Sequence, residues 1–223
     1  MLRRLRFVTY NLGMKVTKFE HSGFLIEENG RGLLIDPVEF EKTLPSFENI
    51  DAIVVTHKHG DHFQPAVIEK IRTSNPDVVI LTTNDNAAAI VDAKAVEAGD
   101  VIKVGEFDLE FFGKSHAEIV PGMIPCENIG VVVNKLFAHL GDSLDFPKEE
   151  VEAIAVASAA PWLKMYEAME YITKAKAKVF IPCHDAILSD VGRGINNNWL
   201  SRACAEVNAK YAALLPEESL ELK

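Results

Sequence analysis

The chain has 223 residues, 48% of them hydrophobic and 25% charged, which allows a sizeable core in one large or two small domains and excludes disordered, collagen-like and disulfide-scaffold classes. Its 23 basic and 33 acidic residues give a formal net charge of -10, which repels phosphate backbones over most of the surface and disfavours nucleic acid as a partner. Three cysteines without paired spacing, Cys126, Cys183 and Cys204, point to reduced thiols in the cytoplasm, and no run reaches the ~18 to 20 apolar residues of a membrane span.

The first thirteen residues, MLRRLRFVTYNLG, lack the long apolar stretch and small-residue cleavage site of an export signal. They are expected to be an extension outside the core, with the folded domain spanning 14–223. Short β-rich runs follow at 16–19, 24–27 and 33–35, with Asn29-Gly30 turning the chain between the last two. The apolar run 50–56 (IDAIVVT) predicts a strand covered on both faces, ending in the polar block HKHGDH. Pro65 suits a first helical turn, and Val67, Ile68 and Ile71 then supply an apolar face before Asn75-Pro76. Further strands are expected at 78–81, 101–104, 107–112, 129–133, 136–139, 153–157 and 178–181, and a helix at 86–97.

Two amphipathic helices are expected later in the chain. One has Trp162, Met165, Tyr166, Met169 and Ile172 on one face, the other Leu200, Ala203, Cys204, Val207 and Tyr211. Both stripes read as core packing rather than ligand contacts. Strands alternating with helices in both halves, without a break in composition, favour one layered α/β domain.

Chemistry concentrates in His57-Lys58-His59-Gly60-Asp61-His62. At this chain's own His and Asp frequencies the pattern HxHxDH arises by chance roughly 4 times in 10,000, so the motif is specific. Residues two apart in an extended segment project to one side, so His57 and His59 can approach one metal ion together. Gly60 permits a reversal after which Asp61 and His62 face a second ion. His116, Asp142 and His184 each lie just past a predicted strand end, where a rigid sheet fixes functional loops. Taken singly, such residues often only cap or hydrogen-bond.

The ordered set of Asp36 in LLIDP, the block from His57 to His62, His116 in FFGKSH, Asp142 in HLGDS and His184 in IPCHD resembles the metallo-β-lactamase-fold superfamily of metal-dependent hydrolases. With the opening KFEHSGFLIE the chain looks most like the small predicted zinc-dependent hydrolases related to ascorbate-6-phosphate lactonase. The resemblance implies a four-layer αββα sandwich with two metals at one edge. It assigns His57, His59 and His116 to the first metal, Asp61, His62 and His184 to the second, and Asp142 to both; two carboxylate oxygens suit a bridge where an imidazole offers one lone pair. Asp36 would orient the metal loop or serve as a turn residue before Pro37. His21, in HSGF, fits a pocket or supporting role, and His139 is either a donor to the Asp142 carboxylate or a satisfied buried histidine. Cys183 should point away from the site into packing.

Two divalent ions, zinc foremost with manganese or iron also compatible, would hold a hydroxide between them as nucleophile, with Asp61 orienting it and taking up its proton. The absence of a GxSxG elbow agrees. The expected activity is hydrolysis of a small, anionic ester, lactone or related substrate. A phosphodiesterase or nuclease on the same site, and a non-catalytic metal-binding regulator, are the alternatives. An oxygen-reducing di-iron protein fits less well, since those relatives carry Glu at the position of His59 and a fused flavin domain.

Overall fold

The computed structural model describes residues 13–223, so the expected N-terminal extension lies outside it apart from Gly13. The first sheet is built from β1 (Met14–Lys18), β2 (Phe24–Glu28), β3 (Arg31–Ile35) and β4 (Ile50–Val55), then, after helix α1 (Pro65–Ser74), from β5 (Val79–Thr82) and, after the single turn α2 (Asn84–Ala87), from β6 (Lys94–Ala95). The second contains β7 (Val101–Val104), β8 (Phe107–Phe112), β9 (Gly130–Val133), β10 (Phe137–His139) and β11 (Val151–Ala157), followed by helix α3 (Met165–Lys174), β12 (Ala177–Cys183), helix α4 (Asp190–Glu206) and β13 (Lys210–Tyr211). The last strand, β14 (Ser219–Leu222), returns to the first sheet beside β1.

The sheet orders are β14-β1-β2-β3-β4-β5-β6 and β13-β12-β11-β10-β9-β8-β7. In each, an antiparallel meander passes into a parallel run, at the β3/β4 pair in one and at β10/β11 in the other. The inner faces meet in one apolar layer that includes Phe24, Ile26, Val54, Phe107, Phe111, Val131, Phe137 and Ile181. Outside it, α1 packs Val67, Ile68 and Ile71 on the first sheet, while Ala168, Tyr171 and Ile172 of α3 and Leu200, Ala203 and Cys204 of α4 cover the second. This is the expected αββα sandwich. Strands buried on both faces explain the near-continuous apolar runs at β4 and β11.

Several local expectations are corrected. The helix expected at 86–97 stops at Ala87, because Lys94–Ala95 pairs with the free edge of β5 and Val96 enters the core; this burial outweighs the helix propensity of the alanines. Trp162 lies before α3 rather than on its face, and Tyr166 is exposed. Tyr211 is in β13, past the end of α4. Helix α4 begins at Asp190 with Ser189 as its cap, accepting the Gly192 N–H at 3.2 Å; two glycines and three consecutive asparagines conceal that first half in sequence. The C-terminal strand β14 was not expected.

Candidate metal centre

The residues of the predicted site sit on connections at one edge of the sandwich, except His139, which ends β10. Asp36 follows β3, His57 to His62 follow β4, His116 follows β8, Asp142 follows β10 and His184 follows β12, while His21 lies in the β1–β2 turn. Asp36, His184 and His21 have positive φ values of 44°, 57° and 59°, a conformation that costs non-glycine residues energy and is held by the surrounding structure. After His59 the chain reverses, with the N–H groups of His62 and Phe63 both bonding to the His59 carbonyl at 2.9 Å.

A buried relay sets the tautomers of two histidines. Asp36 Oδ1 accepts the Thr56 N–H at 2.8 Å, and its Oδ2 accepts the Thr56 hydroxyl at 2.7 Å and His62 Nδ1–H at 2.7 Å. With its proton committed to Asp36, the Thr56 hydroxyl oxygen accepts from His57 Nδ1 at 3.0 Å. In its neutral form each imidazole therefore carries its proton on Nδ1 and turns a bare Nε2 inward. His116 and His184 reach the same state by donating Nδ1–H to the carbonyls of Ala117 (2.5 Å) and Ala159 (2.7 Å). Asp36 is thus an orienting acceptor as well as a turn residue.

These bare nitrogens converge on Asp142. Its Oδ1 lies 3.1 Å from His62 Nε2, and its Oδ2 lies 3.2 Å from His116 Nε2 and 3.1 Å from His184 Nε2. None of these contacts has hydrogen-bond geometry: the Nε2 atoms of His57, His62, His116 and His184 and Asp142 Oδ1 are all buried without a partner. Lone pairs facing at this distance repel unless positive charge lies between them. Burial opposes charge on His62, yet without an ion Asp142 and Asp36 push its pKa up to about 10, so that a second proton takes the place at Nε2 that a metal ion would fill; burial likewise opposes the Asp142 carboxylate, which His62, His116 and His184 nonetheless hold well below the ordinary range. The cluster could hold a metal ion in place of that proton. Bond lengths of ~2.0 to 2.2 Å from zinc to nitrogen or oxygen put neighbouring ligand atoms about 3 Å apart, so this donor set fits such an ion.

Two principal groups of potential ligand atoms emerge, each within 4.8 Å of one another: His57, His59 and His116, and His21, Asp61, His62 and His184. A third, of His57, His62 and Asp142, joins them. Burial together with neighbouring histidines pushes the pKa of His57 well down, and burial foremost lowers that of His59, keeping both imidazoles neutral as ligation requires. His21 Nδ1 accepts the Ala186 N–H at 3.4 Å, which leaves Nε2–H to face Asp61 Oδ2 at 3.3 Å. His139 is satisfied on both nitrogens, donating to the Ser22 carbonyl and accepting from Gly141 N–H, both at 3.0 Å. It fastens the loop of Asp142 to the β1–β2 turn and donates to no carboxylate. Cys183 faces the core between the sheets, as expected.

Four supports escaped the sequence reading. Trp162, expected in the core, donates its indole N–H to Asp142 Oδ2 at 2.7 Å. Asn128 accepts the Asp142 N–H at 2.9 Å and donates to the Leu140 carbonyl at 2.9 Å. The fully buried Lys18 bonds Asp185 at 2.6 Å, and Arg193 meets the same oxygen at 3.0 Å, which anchors the segment after His184 to β1 and α4. Only the position of Asp185, next to His184, hinted at any of these.

The beta-lactamase superfamily domain matches residues 15–184. The chain belongs to this superfamily. It is 32% identical to Protein Rv0786c of Mycobacterium tuberculosis over 92% of its own length and 98% of that protein. A UPF0173 metal-dependent hydrolase of Nanoarchaeum equitans is 28% identical, covering 77% of this chain and 83% of the relative. Among solved structures, the metallo hydrolase Igni18 of Ignicoccus hospitalis superimposes with a TM-score of 0.72 at 19% identity, covering 95% of this chain and 99% of the other, and supports the fold. Among the described residues no helix is long and apolar enough to cross a membrane.

Proposed function

We propose that residues 14–223 form one catalytic domain that holds two divalent ions and hydrolyses a small, anionic ester, lactone or related substrate in the cytoplasm. His57, His59 and His116 would hold one ion, Asp61, His62 and His184 the other, and Asp142 would bridge them. The carrying observation is the convergence of five buried, partnerless donor atoms on His57, His62, His116, His184 and Asp142. Zinc suits this set best, and the mixed imidazole and carboxylate donors also accept manganese or iron. The free cysteines support a reducing compartment.

When bound, such ions supply a water of lowered pKa and a Lewis acid for the substrate oxygen. The chain's own groups do the rest. Asp61, the most accessible of the carboxylates at the site, is aimed by His21 and presents Oδ2 to orient the attacking water and accept its proton. Trp162 fixes the plane of the Asp142 carboxylate, and the Asp36–Thr56 relay selects the Nδ1–H tautomer whose Nε2 is free for an ion.

Elemental analysis, with a screen of esters, lactones and phosphodiesters, tests the reading. Two ions per chain and turnover of small esters or lactones are expected, and His59→Ala or Asp142→Ala should lose metal and activity together while keeping the circular dichroism of the fold. Full activity in either variant would end the two-ion reading. Two ions without any turnover would instead favour a metal-binding regulator, and turnover confined to phosphodiesters a nuclease.

A further inference from the structure

An open groove of about 470 Å³ runs out from the metal cluster, with His59 and His116 at its inner end and Ile119, Met123, Ile124 and Pro125 along one wall. Its size falls among small-molecule sites, which occupy ~300 to 1,000 Å³. The wall is the segment between His116 and Cys126. It is closed at its base by the His116 N–H on the Cys126 carbonyl at 2.9 Å and tied to the centre by the Ala117 N–H on the Asp142 carbonyl at 2.8 Å. Gly122, at a φ of 83°, turns its tip and donates to Glu118 at 2.8 Å.

What this wall offers a ligand is apolar. Of its lining residues, Ile124 is 91% exposed and Met123 47%. A single exposed aliphatic residue carries no message. Two in succession, flanked by Ile119 and Pro125 in the groove beside the candidate metal cluster of a chain with net charge -10, make a patch with a use. The polar lining elsewhere in the groove is already engaged: Lys58 bonds Asp85 at 2.9 Å, and the Asp85 N–H bonds Glu127 at 3.0 Å. A substrate reaching along the groove from His59 and His116 therefore meets the Lys58–Asp85 pair and the backbone-bonded Glu127 on one side and hydrocarbon on the other.

We infer that the substrate carries an aliphatic chain on one side of its scissile group, seated against Ile119, Met123, Ile124 and Pro125. The inference rests on the hydrolase reading for the polar end of the substrate. Its continuity with the metal cluster selects this occupant, because a chain attached to a metal-held head group is delivered to the wall at no further cost of association.

The test is calorimetric titration of the metal-loaded full chain with straight-chain carboxylates from acetate to octanoate, which places an anionic head at the ions and varies only the tail. Affinity should rise roughly two- to fourfold per methylene until the chain outruns the wall, the upper value corresponding to complete burial of each methylene. The double variant M123S/I124S, altered at exposed positions that the core does not use, should flatten that series. Equal affinities for acetate and octanoate, or a slope that survives in M123S/I124S, would overturn the inference. The outcome is separable from the hydrolase reading. A flat series in a protein that cleaves esters rejects the aliphatic seat alone, whereas a steep series in a protein that cleaves nothing keeps the seat and rejects hydrolysis.

Discussion

Asp36→Asn changes almost no volume and replaces one acceptor with a donor, which isolates the relay behind the metal cluster. Asp36 accepts three hydrogen bonds, from Thr56 N–H, the Thr56 hydroxyl and His62 Nδ1–H. An amide has one oxygen, so either orientation sets its NH₂ against a buried donor. With the nitrogen at the Oδ2 position, His62 must shift its proton to Nε2 or leave two donors opposed. The Thr56 hydroxyl must also turn round and donate to His57 Nδ1, driving His57 into the same unsuitable tautomer. With the nitrogen at the Oδ1 position, the Thr56 N–H is opposed instead. A buried donor without a partner costs ~1 to 3 kcal/mol, and losing the group that orients a metal-binding histidine lowers metal affinity about 10- to 100-fold. Asp36→Asn should therefore bind zinc about 10- to 100-fold more weakly in competition with a chromophoric chelator, and lose about 1 to 3 kcal/mol in urea unfolding. Asp108→Asn, in the exposed pair with Lys103, should leave metal affinity unchanged. Wild-type metal affinity in Asp36→Asn would refute the claim that this relay sets the tautomers.

Trp162→Phe keeps a smaller aromatic ring and deletes the N–H that Asp142 accepts, so metal affinity should fall about tenfold or more with the far-ultraviolet spectrum unchanged. Undiminished zinc binding in that variant would make Trp162 a mere wall. Lys18→Met leaves Asp185 with only Arg193 and should cost about 3 kcal/mol in urea unfolding, toward the lower end for a broken buried pair because one partner remains. Gly141→Ala would put a Cβ 2.2 Å from Asn128 Oδ1 at a φ of 61°. It should destabilise by ~1 to 3 kcal/mol and weaken metal binding by displacing the Asn128 contact to Asp142, measured by thermal melts and chelator competition. Stripping the ions with a chelator should lower Tm, since ions held at 1,000 times their dissociation constant contribute about 4 kcal/mol. An unchanged Tm would argue that no ion binds the folded chain tightly.

Much of the fold was legible locally. Apolar or alternating runs bounded by turn residues mark eleven of the strands in part or whole, because a strand covered on both faces, such as β4 or β11, has to be apolar throughout and a half-covered one, such as β7 or β8, alternates, and Pro65 with Val67, Ile68 and Ile71 marks α1. The short edge strands β6, β13 and β14 carry no such signal, since each is defined by the neighbour it pairs with. The first half of α4 stayed hidden because Gly192, Gly194 and Asn196 to Asn198 disfavour helix locally, while Leu200, Ala203 and Cys204 pack the helix from its other half.

The site divides in the same way. The sequence alone determined the donor types, the spacing that aims His57 and His59 together, and the order in which His116, Asp142 and His184 follow strands. Tertiary structure alone decided the tautomers, through acceptors as distant in sequence as Asp36 and Ala159, and decided that Trp162 serves Asp142 and that His139 serves the backbone. It also gave a strongly acidic chain a pocket able to hold positive charge, because burial strips the solvent from Asp142 and leaves it imidazoles and an indole to answer its charge. Spacing can name groups able to bind a metal, but only packing takes away their alternative partners.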